Sequence, residues 1–167
     1  MEPRNPPYPA IALLSAAALG YEILLMRLFS IIQWHHFAYM MISVALLGYG
    51  AAGAVVTLAQ RPLLARFTGV FATAAGLFGL TAPLAFLAAQ SVGFNALEIL
   101  WDSRQWARLT LIYGLLIVPF FCAATAICLS FSRFPAHIPR LYAADITGAA
   151  AGGLGSIGLL LALRPET

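Results

Sequence analysis

Several ionisable side chains fall inside or directly beside the apolar stretches of this sequence, and five of them are the main candidates for function. Glu22 and Arg27 lie within the first apolar stretch, His35 and His36 follow at its end, and Asp145 lies in the last one. Ionisable groups in the apolar part of a membrane protein are costly and rare, so they are the first candidates for function. A proton or cation site at Glu22 is the functional hypothesis that this pattern suggests.

The spacing of Glu22 and Arg27 excludes an ion pair within one helix face. Five residues turn an α-helix by about 140°, whereas neighbours on one face are three or four residues apart. Arg27 is close enough to the end of the stretch to reach the lipid headgroups. Glu22 lies near the middle and needs a proton, a bond to a neighbouring helix or a water-filled cavity. Two interpretations stay open: a proton or cation site, and a structural polar clamp between helices.

The histidines are not spaced for a cofactor or a metal. On a helix, the side chains of His35 and His36 point about 100° apart, whereas a bis-histidine haem needs ligands that face each other. His137 completes the set of histidines, and the expected topology places it at the opposite membrane face. A zinc site would need further nearby ligands. We therefore expect no cofactor and no metal, and interpret His35 and His36 as interfacial groups that bond headgroups or a partner chain.

Asp145 follows Tyr142, at which the last apolar stretch is expected to begin. A carboxylate in the first turn of a helix is stabilised by the helix dipole, and this is the structural interpretation of Asp145. Arg140 and Arg133 are its expected neighbours, because the topology places Arg27 near the other membrane face. A functional polar role for Asp145 is the alternative.

Composition places the chain in lipid. Of 167 residues, 62% are hydrophobic and 9% are charged, and the mean hydropathy is +0.89. A soluble domain carries about 25% charged residues. The net charge of +3 is dispersed and forms no basic run, so nucleic-acid binding has no electrostatic footprint.

Five apolar stretches are each long enough to cross a bilayer, which requires about 20 helical residues. Lipid admits only helices or closed barrels, and no stretch shows the alternation of a strand. The predicted fold is all-α, a polytopic membrane bundle of about five transmembrane helices. The expected spans, within a transmembrane domain at 9–163, are 9–32, 37–59, 67–92, 107–131 and 142–163.

The arginines predict the orientation of the bundle. Five lie on the side of the N-terminal segment 1–8, and three or four lie on the other side. The positive-inside rule then places the N-terminus in the cytoplasm. The sequence ends at 164–167 without a polar tail, and we expect this to be a truncation point in a longer polypeptide.

Small residues recur at four-residue spacing in two of the expected helices. They are Gly48 and Ala52 in the second helix, and Gly148 and Gly152, with Gly153 beside them, in the fifth. Such faces allow two helix backbones to approach closely. The G-x-G-x-x-G pattern that starts at Gly153 is not a nucleotide site, because it lies within an apolar helix and follows no strand.

Three blocks of sequence resemble one family. Residues 20–28 (GYEILLMRL) are similar to a G-x-E-x-x-x-x-R first-helix pattern, residues 46–53 (LLGYGAAG) to an L-x-G-x-x-x-G second helix, and residues 140–152 (RLYAADITGAAAG) to an L-Y-A-x-[DN]-x-x-G-A-x-x-G block. Together they resemble the transmembrane region of bacterial spermidine/spermine synthase-like membrane proteins.

The resemblance implies a bacterial inner-membrane protein whose family joins a membrane region to a cytosolic aminopropyltransferase-type domain. That domain would bind decarboxylated S-adenosylmethionine and a polyamine, but this sequence lacks its strands and acidic cluster, so no catalytic residue carries over. The expected partners are the lipid bilayer and either other membrane subunits or a fused cytosolic domain. The chain is thus interpreted as a non-enzymatic anchoring or accessory membrane domain. The alternatives are a cation or proton transporter module that uses Glu22, and a small structural subunit of a larger complex.

Overall fold

The chain folds as a bundle of α-helices. The computed structural model describes residues 5–32, 35–94, 98 and 101–162, with backbone alone at 31–32 and 35–38. The described part contains helices and no strand, which confirms the all-α membrane bundle. The helices are α1 Tyr8–Ile32, α2 His35–Leu58, α3 Gln60–Ala65, α4 Phe67–Ser91, α5 Arg104–Arg133 and α6 Ile138–Ala162.

All these helices except the short α3 are long and apolar enough to cross a membrane. The protein is therefore a multi-pass membrane protein with five candidate spans. Their cores agree with the stretches expected from the sequence, and their ends differ by at most four residues.

The largest difference is at the start of α6, which begins at Ile138, four residues before Tyr142. The expected span began at 142, which left Pro139 in the connection before it. A proline in the first turn of a helix costs little, since the N–H group that it lacks would have no partner there. The same reason explains α3, in which Pro62 is the third residue.

Helix α5 lies at the centre of the bundle and α6 at its edge. Helices α2 and α4 pack on two sides of α5, and α1 packs on α2 and also reaches α5. In its most apolar window, 56% of α5 is buried, against 17% of α6, which packs almost entirely against α1. The position of α6 therefore depends on its contact with α1.

At two of these contacts, α1 with α6 and α2 with α5, small residues allow the helices to approach closely. A Cβ atom added to Gly148 would lie 2.1 Å from the carbonyl oxygen of Ala12, and one added to Gly152 would lie 2.0 Å from that of Ala16. The residue numbers rise together in both helices, so α1 and α6 run parallel. On α2, a Cβ added to Gly48 would lie 2.8 Å from Cβ of Phe120 in α5.

Aromatic side chains fill the space between α1, α4 and α5. The ring of Tyr21 lies 5.5 Å from that of Phe120 and 6.4 Å, edge to face, from that of Phe78. These contacts orient α1 about its own axis. The face of α1 that carries Tyr21 is directed towards the core, and the face that carries Glu22 is directed towards α2 and α6.

Candidate functional site

A cavity of about 260 Å³ lies between α1, α2 and α6. Each of the three helices contributes at least one polar side chain to its wall, and apolar side chains form the remainder. The lining residues are Ser15, Leu19 and Glu22 from α1, Ala45, Leu46 and Tyr49 from α2, and Asp145 and Ala149 from α6.

The periodicity of α1 brings its three lining residues to one face. Ser15, Leu19 and Glu22 stand at positions i, i+4 and i+7, which share one side of an α-helix. Asp145 and Ala149 repeat the four-residue spacing on α6. The cavity wall is therefore a continuous stripe on each of these helices.

Asp145 is held to α1 by a hydrogen bond. The hydroxyl group of Ser15 donates to Oδ1 of Asp145 across 130 residues of sequence. The expectation that Asp145 lies in the first turn of its helix is wrong, because α6 begins at Ile138 and Asp145 falls in the third turn. The carboxyl group is too far from the helix end for the dipole to account for it. Its observed partner is Ser15, and neither Arg133 nor Arg140 lines the cavity.

Glu22 faces the same cavity and is partly buried. Within the described part of the chain, no hydrogen bond or ion pair joins its carboxyl group to another residue. Arg27 is exposed and does not line the cavity. The structure thus keeps Glu22 and Arg27 apart, and it leaves the carboxyl group of Glu22 available to whatever occupies the cavity.

The two carboxyl groups sit at different depths. Ser15, which holds Asp145, precedes Glu22 by seven residues, or about 10 Å along the helix at a rise of 1.5 Å per residue. Glu22 is the fifteenth of the 25 residues of α1, which places it near the middle of the span. Tyr49 lines the same cavity as both carboxyl groups.

Ser15 and Tyr49 are the two polar cavity residues that sequence analysis missed. Both are common in apolar helices and neither stands out by type. The available signal was the seven-residue spacing between Ser15 and Glu22, which predicts that they share a helix face. The spacing does not predict which other helix packs against that face.

The remaining candidate residues lie elsewhere. The side chains of His35 and His36 lie outside the described residues, and His137 lies in a short 3-10 helix before α6, with its ring 6.5 Å from that of Phe134. In the described ranges, no group of three potential metal ligands comes together.

The small residues singled out from the sequence lie at helix contacts. Gly48 meets α5, and Ala52 on the same helix is fully buried. Gly148 and Gly152 meet the backbone of α1, and Gly153 would place a Cβ 3.5 Å from side chains of that helix. Gly148, Gly152 and Gly153 therefore fix the position of α6 against α1 and, with it, the position of Asp145.

Comparison with known proteins gives no relative. No family model, no curated protein and no solved structure matches the chain. The resemblance to spermidine synthase-like membrane proteins therefore depends on the three sequence blocks alone.

Proposed function

We propose that this chain is an integral membrane domain that binds a cation or proton between α1, α2 and α6 and serves as a transporter module. The observation that carries the proposal is the convergence of Glu22 and Asp145, from the first and last spans, on one cavity. Carboxylate and hydroxyl oxygens suit a proton or a hard cation.

The cost of burying these groups supports a functional role. An acidic side chain at the centre of a membrane helix costs about 2.5–3.5 kcal/mol on insertion scales. Ser15 offsets part of that cost for Asp145, whereas Glu22 has no partner among the described residues. A structural clamp would satisfy Glu22 through a neighbouring helix. A group that faces a cavity without a partner fits a site that is filled by a ligand or a proton.

The setting that we propose is the bacterial plasma membrane, with the N-terminus in the cytoplasm. The distribution of arginines supports this orientation, and the resemblance of the three sequence blocks supports the type of membrane.

Flux measurements test the proposal. The purified chain is placed in liposomes with a trapped pH-sensitive dye, and sodium, potassium or an organic cation is added outside. We expect a cation-dependent change of internal pH that Glu22→Gln abolishes without changing the yield or thermal stability of the protein. The matched control is Asp102→Asn, because Asp102 is a carboxylate outside the spans that accepts a hydrogen bond from the backbone N–H of Arg104. Unchanged flux in Glu22→Gln would end the transporter hypothesis.

A second candidate function is that of an anchoring or accessory domain, as the resemblance implies. The outer face of α6 favours it, because small residues recur there at four-residue spacing and are exposed: Ala143, Thr147, Ala151 and Gly155. Small residues on a lipid-facing side permit close contact with another membrane helix.

This candidate makes its own prediction for the assembly. Gly155→Leu should release the chain from any complex on a native gel, whereas Gly158→Leu, at another exposed position of α6, should not. Gly148 and Gly152 are unsuitable for this test because they contact α1 of the same chain. Co-migration of Gly155→Leu with the complex would contradict it. The intact mass in native membranes, if well above 17.8 kDa, would identify a fused domain as the partner.

A further inference from the structure

The cavity opens sideways, towards the lipid. Helix α6 packs along α1, and α2 packs on α1 and α5, but α2 and α6 are not among the helix pairs that pack closely in the described part of the chain. Helices α2 and α6 therefore border a cleft on two sides, and α1 lies at the base of the cleft. Among the described residues, those that line the cavity belong to α1, α2 and α6 alone.

The rim of the cleft is apolar. Leu46, on the α2 side, lines the cavity and is 67% exposed. On the α6 side, the apolar residue that lines the cavity is Ala149. A ligand that passes between α2 and α6 meets apolar side chains first and the carboxyl group of Glu22 behind them.

This geometry selects a class of ligand. A lateral opening favours a ligand that dissolves in hydrocarbon over a hydrated metal ion, because the transfer of a small ion into an apolar medium is very unfavourable. The cavity volume of about 260 Å³ also far exceeds the roughly 30 Å³ that one water molecule occupies. An organic cation with a large apolar part satisfies both conditions.

We infer that the site binds a lipophilic monocation that enters from the bilayer between α2 and α6. This inference rests on the proposed function and names its ligand class. The cationic group pairs with Glu22, while Asp145 stays bonded to Ser15. The apolar part contacts Leu19 and Leu46, and Tyr49 contributes an aromatic side chain to the cavity wall.

Binding of three probes to the chain in lipid nanodiscs tests the inference. The probes are tetraphenylphosphonium, the hydrophilic cation tetramethylammonium and the neutral triphenylphosphine oxide, with empty nanodiscs as the background for partitioning. We expect saturable binding of tetraphenylphosphonium at least tenfold tighter than that of the other two, and a loss of at least tenfold in Glu22→Gln.

A matched pair of variants tests the route. Leu46→Trp places a larger side chain at the cavity, and Leu47→Trp makes the same change at an exposed neighbour that does not line it. Weakened tetraphenylphosphonium binding in Leu46→Trp alone is the expected result.

The alternative outcomes separate the two proposals. If tetramethylammonium binds as tightly as tetraphenylphosphonium and depends on Glu22, the cation site stands and the lipophilic ligand class is wrong. If the neutral probe binds equally and Glu22→Gln changes nothing, the charge plays no part and the inference fails. If no probe binds and no flux is seen, both proposals fail. Equal effects of Leu46→Trp and Leu47→Trp would overturn the lateral route.

Discussion

The contact between α1 and α6 makes a sharp prediction for Gly152→Ala. The added methyl carbon would lie 2.0 Å from the carbonyl oxygen of Ala16, whereas such a carbon and oxygen ordinarily approach to about 3.3 Å. The oxygen belongs to the backbone of a packed helix and cannot turn aside. Helix α6 must therefore move away from α1 by more than about 1 Å at this point.

This movement lowers the free energy of unfolding for two reasons: the added methyl group overpacks the contact, and a hydrogen bond is lost. Overpacking of a close contact destabilises a protein by about 1–3 kcal/mol, and a hydrogen bond between membrane helices contributes about 0.6 kcal/mol on average. The hydrogen bond at risk is that from Ser15 to Asp145, which joins the same two helices. For a chain of this size, at about 2–4 °C per kcal/mol, the melting temperature should fall by roughly 3–14 °C.

The native cysteines supply the assay. Cys122 is buried and Cys128 is partly buried, and both lie in α5. A thiol-reactive fluorescent dye will therefore report unfolding as the temperature rises. Gly155→Ala is the control, because a Cβ at Gly155 meets nothing within 4 Å. Equal melting temperatures for Gly152→Ala and Gly155→Ala would refute the parallel packing of α6 on α1.

Two further predictions concern the other helix contacts. Gly48→Ala should lower the melting temperature by several degrees, because the added Cβ would lie 2.8 Å from a side-chain carbon of α5. The control is Gly50→Ala, whose Cβ meets nothing within 4 Å and which should leave the melting temperature unchanged. Equal effects of the two substitutions would argue against the close approach of α2 to α5. Ser15→Ala should lower the free energy of unfolding by about 0.6 kcal/mol, because the hydrogen bond to Asp145 is lost. Ser30→Ala should lower it by less in the same thermal unfolding experiment, because the hydroxyl group of Ser30 bonds within its own helix.

The sequence predicts the spans better than it predicts their neighbours. Apolar length alone located all five candidate spans, because lipid imposes one minimum length on any helix that crosses it. The ends are harder to place. The last span was expected to begin after Pro139, whereas the first turn of α6 accommodates this proline.

Long-range pairing explains what sequence analysis missed at the site. The spacing of Gly148 and Gly152 indicated a packing face, but nothing in that spacing shows that its partner is α1. The partner of Asp145 was expected among nearby arginines because charge attracts charge. The structure instead pairs Asp145 with Ser15, 130 residues away, since the parallel contact of α1 and α6 brings the two side chains together.

The most direct test of the cation site is carbodiimide labelling of Glu22 in the native membrane, mapped by mass spectrometry. Dicyclohexylcarbodiimide enters lipid and reacts with protonated carboxyl groups, so it reaches a carboxyl group that opens to the bilayer. The account predicts that Glu22 is modified and that tetraphenylphosphonium slows the modification in proportion to its occupancy. Modification of Glu22 at the same rate with and without the cation would contradict the account.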